Sequence, residues 1–465
     1  MFGQMNESNP NSDLNRRDFI RGSSFATVMA LMGGVPIIAQ EKPPEKPAAT
    51  AYDANKKMGP PVNCAVIGCG LWGREILKAL AKLPSANVVA ICDTYEPFLR
   101  RSKESAPKAE GITDYKSVLA NKEIKAVIVA TPSHLHKDIV VEALQAGKHV
   151  YCEAPLAASV EDARAIAQAA KAAIKQNFQA GLSLRSDSQR RFLLDFIRAG
   201  ALGKTAMGRS QWHKKESWRR TAPSPERETA LNWRLRSESS PGLAGEISIH
   251  QFDATSWYLN ARPLSVIGFG SIMQWSDGRD VPDTIHAIFE YPNSVRVVHD
   301  CTLANSFDSD YEMLYGSEAA VMIRGEKAWM FKETDAPLLG WEVYARKDSF
   351  YTETGIALVA NATKLTAHQD KATDEAPVTS TPLYQALDAF VGNTDIHHNA
   401  VQDFAADFDV NDTNALKEYL VSIVKTKAPA AGYHEGLDAT VIALKTNEAV
   451  TKGQKVTFQK DWFEV

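Results

Sequence analysis

Three groups of residues in this chain have the types and spacing that chemistry requires. The first is Gly68-x-Gly70-x-x-Gly73, with Leu71 and Trp72 filling its last gap, between the apolar run Ala65–Ile67 and the helical pattern "REILKALAKL". In a strand–turn–helix setting this spacing cradles the pyrophosphate of a dinucleotide. Gly68 permits the tight turn, Gly70 lets phosphates approach the backbone, and Gly73 lets the helix pack on the strand. The phosphates then lie on the unpaired N–H groups and positive end of that helix. The second is Asp93, which ends the apolar stretch "NVVAICD" twenty residues beyond Gly73. A carboxylate there meets the adenosine ribose hydroxyls and repels a 2′-phosphate, so NAD is expected rather than NADP, with Arg100 and Arg101 nearby arguing the other way. The third is Glu246, His250 and Asp253 in "EISIHQFDATSW", at i−4, i and i+3. On a helix these share a face, so a carboxylate can hold the imidazole tautomer. Such a histidine can take a hydroxyl proton near neutral pH, and the same spacing equally suits a structural histidine.

Residues like these need a frame. "KAVIVAT" and "KHVYCEA" read as buried parallel-type strands, and "HKDIVVEALQAG" and "SVEDARAIAQAAKAAIKQ" as helices, the latter with Ser159 at its N-cap. "NFQAGLSLR" adds a strand. The alternation predicts an α/β fold beginning with a doubly wound Rossmann domain over residues 62–184. Ligand chemistry should gather at the carboxyl ends of its strands, at Gly68–Gly73, Asp93, Thr131–His136 and Glu153–Pro155. Residues 185–465 should form an α+β domain around an open, mostly antiparallel sheet, from "KTAMGRSQWH" through "AWMFKE", serving as substrate wall and oligomer surface. Trp212, Trp218 and Trp233 lie near its entry and are placed to stack on a sugar ring or to fill core.

The remaining features bound the function. With 465 residues, 44% hydrophobic content and a net charge of −4, the chain has a large core and no basic footprint for nucleic acid. Cys64, Cys69, Cys92, Cys152 and Cys301 are an odd set, four of them in apolar strand contexts, and suggest neither a disulfide framework nor a metal site. Residues 1–40 contain "NRRDFIRGSSFATVMALMGGVPIIAQ", with Arg16-Arg17 before a weak apolar run, the pattern of a twin-arginine signal. The run is too short and Gly-interrupted for a membrane span. The expected location is periplasmic or extracytoplasmic, reached by export of the folded chain with its cofactor aboard. Residues 41–61, rich in Pro and Lys, read as a linker, and "LTAHQDKATDEAPVTSTP" as an exposed loop. Asp407, Asp409, Asn411 and Glu418 fall at calcium-loop offsets, but Asp412 stands where that loop requires glycine, so a capped helix start is expected instead. No metal site is expected at His134-x-His136 or His397-His398 either.

Taken in order, "AVIGCGLWG", "ICD", "ATPSHLHKDIVVEALQAGKHVYCEAP", "GLAGEISIHQFDATSWYL" and "GYHEGLDATVIALKTNEAVTKGQKVTF" resemble the Gfo/Idh/MocA oxidoreductases (glucose–fructose oxidoreductase, inositol dehydrogenase and relatives). The resemblance implies an NAD(P)-dependent enzyme acting on CH–OH groups of a sugar or polyol. It places Thr131, Pro132 and His136 at the nicotinamide side of the cofactor and Glu153 by the nicotinamide ribose. It matches Glu246, His250 and Asp253 to the family's later motif, with His250 as catalytic base and Glu246 as its carboxylate partner. Asp253, with Arg185 and Trp233 from segments expected to border the cleft, is expected at the substrate. Two positions depart from the family pattern. Ala154 replaces the lysine that helps hold the substrate hydroxyl, and Glu246 replaces an aspartate. Arg185, Lys214, Lys215 and Arg234 are candidate replacement cations. Three functions follow: a sugar or polyol oxidoreductase, an NAD-assisted glycoside-cleaving enzyme that recycles its cofactor, or a non-catalytic dinucleotide- and sugar-binding protein.

Overall fold

The computed structural model describes residues 60–325, 327–338, 347–350, 353–358 and 381–465, the strands at 347–350 and 353–358 through their backbone. The twin-arginine segment and nearly all of the linker and of the loop expected after residue 364 lie outside these residues; that loop's last two residues, Thr381 and Pro382, begin a helix.

Six short strands form the first sheet: β1 (Val62–Ile67), β2 (Ala86–Cys92), β3 (Glu110–Ile112), β4 (Ala126–Val129), β5 (His149–Cys152) and β6 (Phe178–Ala180). They run parallel in the order β3-β2-β1-β4-β5-β6. Every residue of β4 and β5 is buried, as a parallel sheet covered on both faces requires. Helix Leu71–Leu80 covers one face together with Ala386, Leu387, Phe390 and Val391 of the C-terminal helix Pro382–Asp407. Helices His136–Gln145, Val160–Ala172 and Tyr433–Lys452 cover the other. Two late helices therefore return to complete the first layer, a long-range arrangement that local patterning does not encode. Ser159 Oγ accepts the Asp162 N–H at 3.1 Å and starts its helix as expected. Asp412 Oδ1 likewise caps Thr413–Ser422, so the acidic stretch before it is a helix start.

The second sheet contains β7 (Thr205–His213), β8 (Ser265–Ser271), β9 (Thr284–Glu290), β10 (Arg296–Thr302), β11 (Asp310–Gly316), β12 (Ala319–Arg324), β13 (Lys327–Lys332), β14 (Lys347–Phe350), β15 (Glu353–Leu358) and β16 (Val456–Thr457). Their order is β14-β15-β13-β12-β11-β7-β10-β9-β8-β16, antiparallel except for the β7–β10 pair. Seven match strands expected from the sequence; β14 and β15 were not anticipated. On the inner face Val266, Ile285, Ala287, Phe289, Val297 and Cys301 share a core with Ile249 and Phe252 of helix Ile249–Leu259. On the outer face Ile267, Ile288 and Val298 stand directly opposite one another across three strands and are exposed. Phe269, on the same face, is 65% exposed.

Candidate active site

The glycine loop is built as its spacing predicts. Gly68 has φ +98°, and a Cβ there would meet the backbone of Ala130 at the end of β4. A Cβ on Gly73 would fall inside the radius of the Gly68 carbonyl oxygen, so only glycine lets the helix sit this close to β1. Gly70 is the opposite case: a Cβ would meet nothing within 4 Å, leaving a cradle open to a ligand. Leu71 and Trp72 begin the helix and are exposed at its N-terminus, where no side chain caps the free N–H groups. Asp93 accepts the N–H groups of Cys69 and Tyr95, each at 2.8 Å. It thereby ties the glycine loop to the end of β2, while burial pushes its carboxyl up against those contacts and the charges of Arg227 and Arg74. Arg74, in the first helical turn, donates to the Cys69 carbonyl at 3.1 Å.

The ends of β4 and β5 carry unsatisfied polar atoms. Thr131 Oγ1 and Glu153 Oε1 are buried without a hydrogen-bond partner. Burial pushes Glu153 up to about 7, outweighing Trp72, the Ala154 N–H and Tyr151, none of which reaches Oε1 in hydrogen-bonding geometry. Orphaned acceptors beside an open backbone cradle fit the ribose hydroxyls and phosphates of a nicotinamide dinucleotide. His136, expected at the nicotinamide side, is bonded within its own loop. Its ring is buried, with the Pro155 and Thr131 carbonyl oxygens 3.0 and 2.9 Å from its two nitrogens, and it ties the two strand ends together.

The second-domain triad also departs from expectation. Glu246 lies in a π-helical turn, Ala244–Ser248, immediately before the α-helix that carries His250 and Asp253. That turn shifts the angular register of Glu246 relative to His250, while Asp253, in the same unbroken helix as His250, is drawn to Arg185. Glu246 instead accepts from Arg234 Nε at 3.0 Å and from Ser133 Oγ at 2.8 Å, linking the second domain to the end of β4. Asp253 is clasped by Arg185 through contacts of 2.8, 2.9 and 3.1 Å. Burial pushes the Asp253 carboxyl up while the guanidinium opposes that shift; Arg185, despite its own burial, stays above its ordinary value because of Asp253. His250 therefore has no orienting carboxylate. Its Nδ1 is buried without a partner, and burial alone lowers its pKa to about 4, so the ring is neutral at pH 7.

Among the candidate cations, Arg234 is paired with Glu246 and Arg185 with Asp253. Lys214 pairs with Glu216 at 2.7 Å, and Lys215 is exposed. Arg234 also lies 5.2 Å over the Trp233 ring and 5.5 Å over that of Trp218, so Trp233 forms one wall beside it. Trp218 is buried in core and Trp212 packs against it. Ala154 packs against the same apolar cluster and offers no polar group. The sequence reading missed Ser133, whose signal was a hydroxyl in a strand-end loop. It also missed Arg74 and Arg227, whose partners are backbone carbonyls. No group of three or more His, Cys, Asp or Glu among the described residues is arranged to hold a metal ion, and all five cysteines are buried and free.

A parallel sheet with a glycine cradle at its carboxyl edge, joined to an open sheet whose helix presents a neutral histidine, defines a two-domain dinucleotide enzyme of the Rossmann class. Residues 62–181 match the family model "Oxidoreductase family, NAD-binding Rossmann fold", and residues 191–330 match "GFO/IDH/MocA C-terminal domain". The chain belongs to the Gfo/Idh/MocA oxidoreductase family. It is 30% identical over 203 residues to an inositol 2-dehydrogenase of Arthrobacter sp. strain FB24, spanning 43% of this chain and 55% of that relative. It is 24% identical over 265 residues to a 2,7-anhydro-N-acetylneuraminate hydratase of Escherichia coli K12, spanning 56% of this chain and 67% of the relative. The fold is shared with levoglucosan dehydrogenase in complex with NADH and L-sorbose, at a TM-score of 0.62 and 17% identity over 86% of this chain and 99% of the other. These relationships are consistent with an NAD(P)-dependent oxidoreductase acting on CH–OH groups.

Proposed function

We propose that this chain is an exported NAD-dependent oxidoreductase that moves a hydride between a sugar or polyol carbinol and a tightly held nicotinamide. The observation that carries the reading is His250, neutral at pH 7 on the helix that faces the strand ends, with a nitrogen left unpaired. NAD, when bound, supplies the hydride acceptor. Gly70 and the helix N-terminus hold its phosphates, Asp93 its adenosine ribose, and Thr131 and Glu153 the nicotinamide ribose region. NAD is favoured over NADP because both Asp93 oxygens are already fixed by N–H groups, which sets a carboxylate where a 2′-phosphate would lie. Arg100 faces Glu96 at 3.6 Å instead. His250 takes the hydroxyl proton. Arg185 and Arg234, held by Asp253 and Glu246, supply N–H donors to the developing alkoxide in place of the family lysine, and Trp233 walls the sugar ring. Named relatives that act on inositol and levoglucosan support this substrate class.

The Arg16-Arg17 segment supports export to the periplasm. The exposed apolar row of Ile267, Ile288 and Val298, continued by Phe269, supports a homo-oligomer through the outer sheet face. A reaction that recycles its cofactor, as in glycoside cleavage, is the second reading, favoured by a relative named a hydratase. The test is to purify the full chain, record the absorbance and fluorescence of bound NAD(H), and add candidate sugars. Net NADH is expected. Product release without net NADH selects the recycling reading, and ligand binding with neither selects a binding protein. His250→Ala should abolish turnover; an unchanged kcat removes the histidine from the mechanism.

A further inference from the structure

A groove of about 750 Å³ lies where helix Ser188–Arg198, helix Ile249–Leu259 and the hairpin between β9 and β10 come to an end. His250 stands at the other end of helix Ile249–Leu259, nine residues or about 14 Å from Leu259, so the groove lies outside the catalytic cleft. Its charged lining is one-signed: Arg198 and Lys204 face it, and no Asp or Glu among the described residues does. Arg198 gives Nη2 to the Trp257 carbonyl at 3.0 Å, which fixes the guanidinium against the helix end. Its Nε and Nη1 have no partner among the described residues. Ser317 pins the Lys204 backbone, accepting its N–H at 3.0 Å and donating to its carbonyl at 2.9 Å. The Lys204 ammonium makes no ion pair among the described residues. Glu290, at the foot of the hairpin, is already taken by Arg296 and Lys455 at 3.0 and 3.1 Å.

Polar side chains join the two cations. Among the described residues the Asn293 amide and the Ser294 hydroxyl have no hydrogen-bond partner, and Asn260 uses only its carbonyl oxygen, 3.4 Å from Arg198 Nη2. These three also account for three of the five described non-glycine residues with positive φ, at +50°, +59° and +63° for Asn260, Asn293 and Ser294. Val295 donates its N–H to the Pro292 carbonyl at 3.4 Å, which closes a type I′ turn over Asn293 and Ser294. Such a turn prefers Asn-Gly, and an L-residue in the second place strains the backbone. What serine adds there in exchange is a hydroxyl on the groove, and strain held at such a place points to a use for the side chain. Tyr258 and Tyr291 complete the lining with buried rings whose hydroxyls are engaged by Arg190 and Ser256.

We propose that this groove is a second ligand site, which takes an oxyanion carried on a sugar, either a uronate or a sugar phosphate. Two unpaired cations without a carboxylate call for an anion. The amide and hydroxyl groups beside them call for further oxygens on the same molecule, and the volume is that of a small-molecule site. Arg198 and Lys204 meet the oxyanion, Asn260, Asn293 and Ser294 meet ring hydroxyls, and the tyrosine rings give the apolar wall. The site requires neither the nicotinamide nor hydride transfer, so it stands independently of the function proposed above.

The test uses the full chain, titrated calorimetrically with glucuronate, glucose 6-phosphate, glucose and inorganic phosphate. An acidic sugar should bind at least about 10-fold more tightly than glucose, and less tightly as salt is added. Binding of glucuronate alone selects a carboxylate as the anion, and binding of glucose 6-phosphate alone selects a phosphate. Lys204→Glu should weaken that binding by about 10- to 100-fold, the scale of a charge-assisted contact. Ser294→Gly should raise Tm, because glycine suits the turn, and yet weaken binding. Trp233→Ala, in the catalytic cleft, should bind the acidic sugar as the parent does. Failure of both acidic sugars to bind the parent overturns the site, as does equal affinity in parent and Lys204→Glu. Loss of binding in Trp233→Ala with Lys204→Glu unchanged places the ligand in the cleft and overturns it too. Inorganic phosphate binding as tightly as the acidic sugars would overturn the assignment of a sugar. A change of oligomeric state in Lys204→Glu, read by light scattering, would show that a second copy covers the groove and would overturn the ligand site.

Discussion

Gly70 and Gly73 are three residues apart, yet replacing each with alanine should damage different properties. At Gly73 a Cβ would overlap the Gly68 carbonyl oxygen, a backbone atom that cannot swing aside. Helix Leu71–Leu80 would have to lift off β1, and Ile76, Leu77 and Leu80, all fully buried, would lose packing. Overpacking of this kind costs about 1–3 kcal/mol, which lowers Tm by about 2–4 °C per kcal/mol in a domain of this size class. At Gly70 the backbone is extended, with φ −62° and ψ −160°, and a Cβ meets nothing within 4 Å. Gly70→Ala should therefore fold normally and gain about 0.4–1 kcal/mol from a less flexible unfolded chain. Its methyl occupies the space through which phosphates reach the loop N–H groups. Losing one or two charge-assisted bonds costs about 3 kcal/mol, roughly a 100-fold loss of ADP-ribose affinity. Thermal melting and calorimetric titration of both variants separate the effects. Gly70→Ala with unchanged ADP-ribose affinity, or Gly73→Ala with an unchanged melt, would refute the cradle as described.

Asp253→Asn should destabilise the fold by about 3–5 kcal/mol, because Arg185, with its side chain 19% exposed, is left in the interior without its counter-charge. Adding Arg185→Met should restore much of that loss in urea unfolding, and a neutral single variant would mean that the pair carries no weight. Since His250 must be neutral to accept a proton and its pKa is near 4, kcat/KM should hold on acidification and fall through about pH 4 rather than 6.5. Glu153→Gln removes the other titration, near 7, from the same cleft, and an acid limb that stays at 6.5 in that variant would place the base elsewhere. His299 is neutral and lies 2.8 Å from both Ser210 Oγ and Ser248 Oγ, with burial lowering it to about 3. Its unfolded value is higher, so its contribution is full above about pH 6.5 and is lost as the pH falls toward 3, by about 5 kcal/mol at most. His299→Gln should flatten the acid dependence of stability by about one proton, and an unaltered slope would show that His299 does not report on folding.

The parts of the site visible in the sequence were those fixed by backbone geometry. Gly68, Gly70 and Gly73 are dictated by a turn and two close approaches, and Asp93 by the length of one β-α-β crossover, so local spacing suffices to find them. The second-domain triad was located but its pairing was misjudged. The i−4, i, i+3 argument assumes an unbroken α-helix, and the π-helical turn at Ala244–Ser248 carries Glu246 toward Arg234 and Ser133. His136 lies in the expected loop, where its ring is buried between the Pro155 and Thr131 carbonyl oxygens, a pairing that a strand-end motif does not specify. The return of helix Pro382–Asp407 to the first sheet depends on contacts more than two hundred residues apart in sequence, as between Gln179 and Ala386.

Ala154 acquires a different meaning in this setting. A lysine in a dinucleotide cleft does two things at once: it places positive charge on an alkoxide and tunes the acid that trades the proton. On the function proposed above, the two tasks lie on different side chains. Arg234 spends Nε on Glu246 and Arg185 spends Nε and one Nη on Asp253, which leaves each with N–H donors that can meet a substrate oxygen, while neither can release a proton. His250 can exchange a proton but, with a pKa near 4 and no carboxylate to raise it, is a weak base. A weak base suffices only if the hydroxyl is made more acidic first, which is what two fixed guanidinium groups beside it would do. On this reading the arginines are the precondition for the histidine. Charge and proton transfer should then fail separately: Arg234→Lys would slow turnover yet leave the acid limb of the pH profile where His250 sets it.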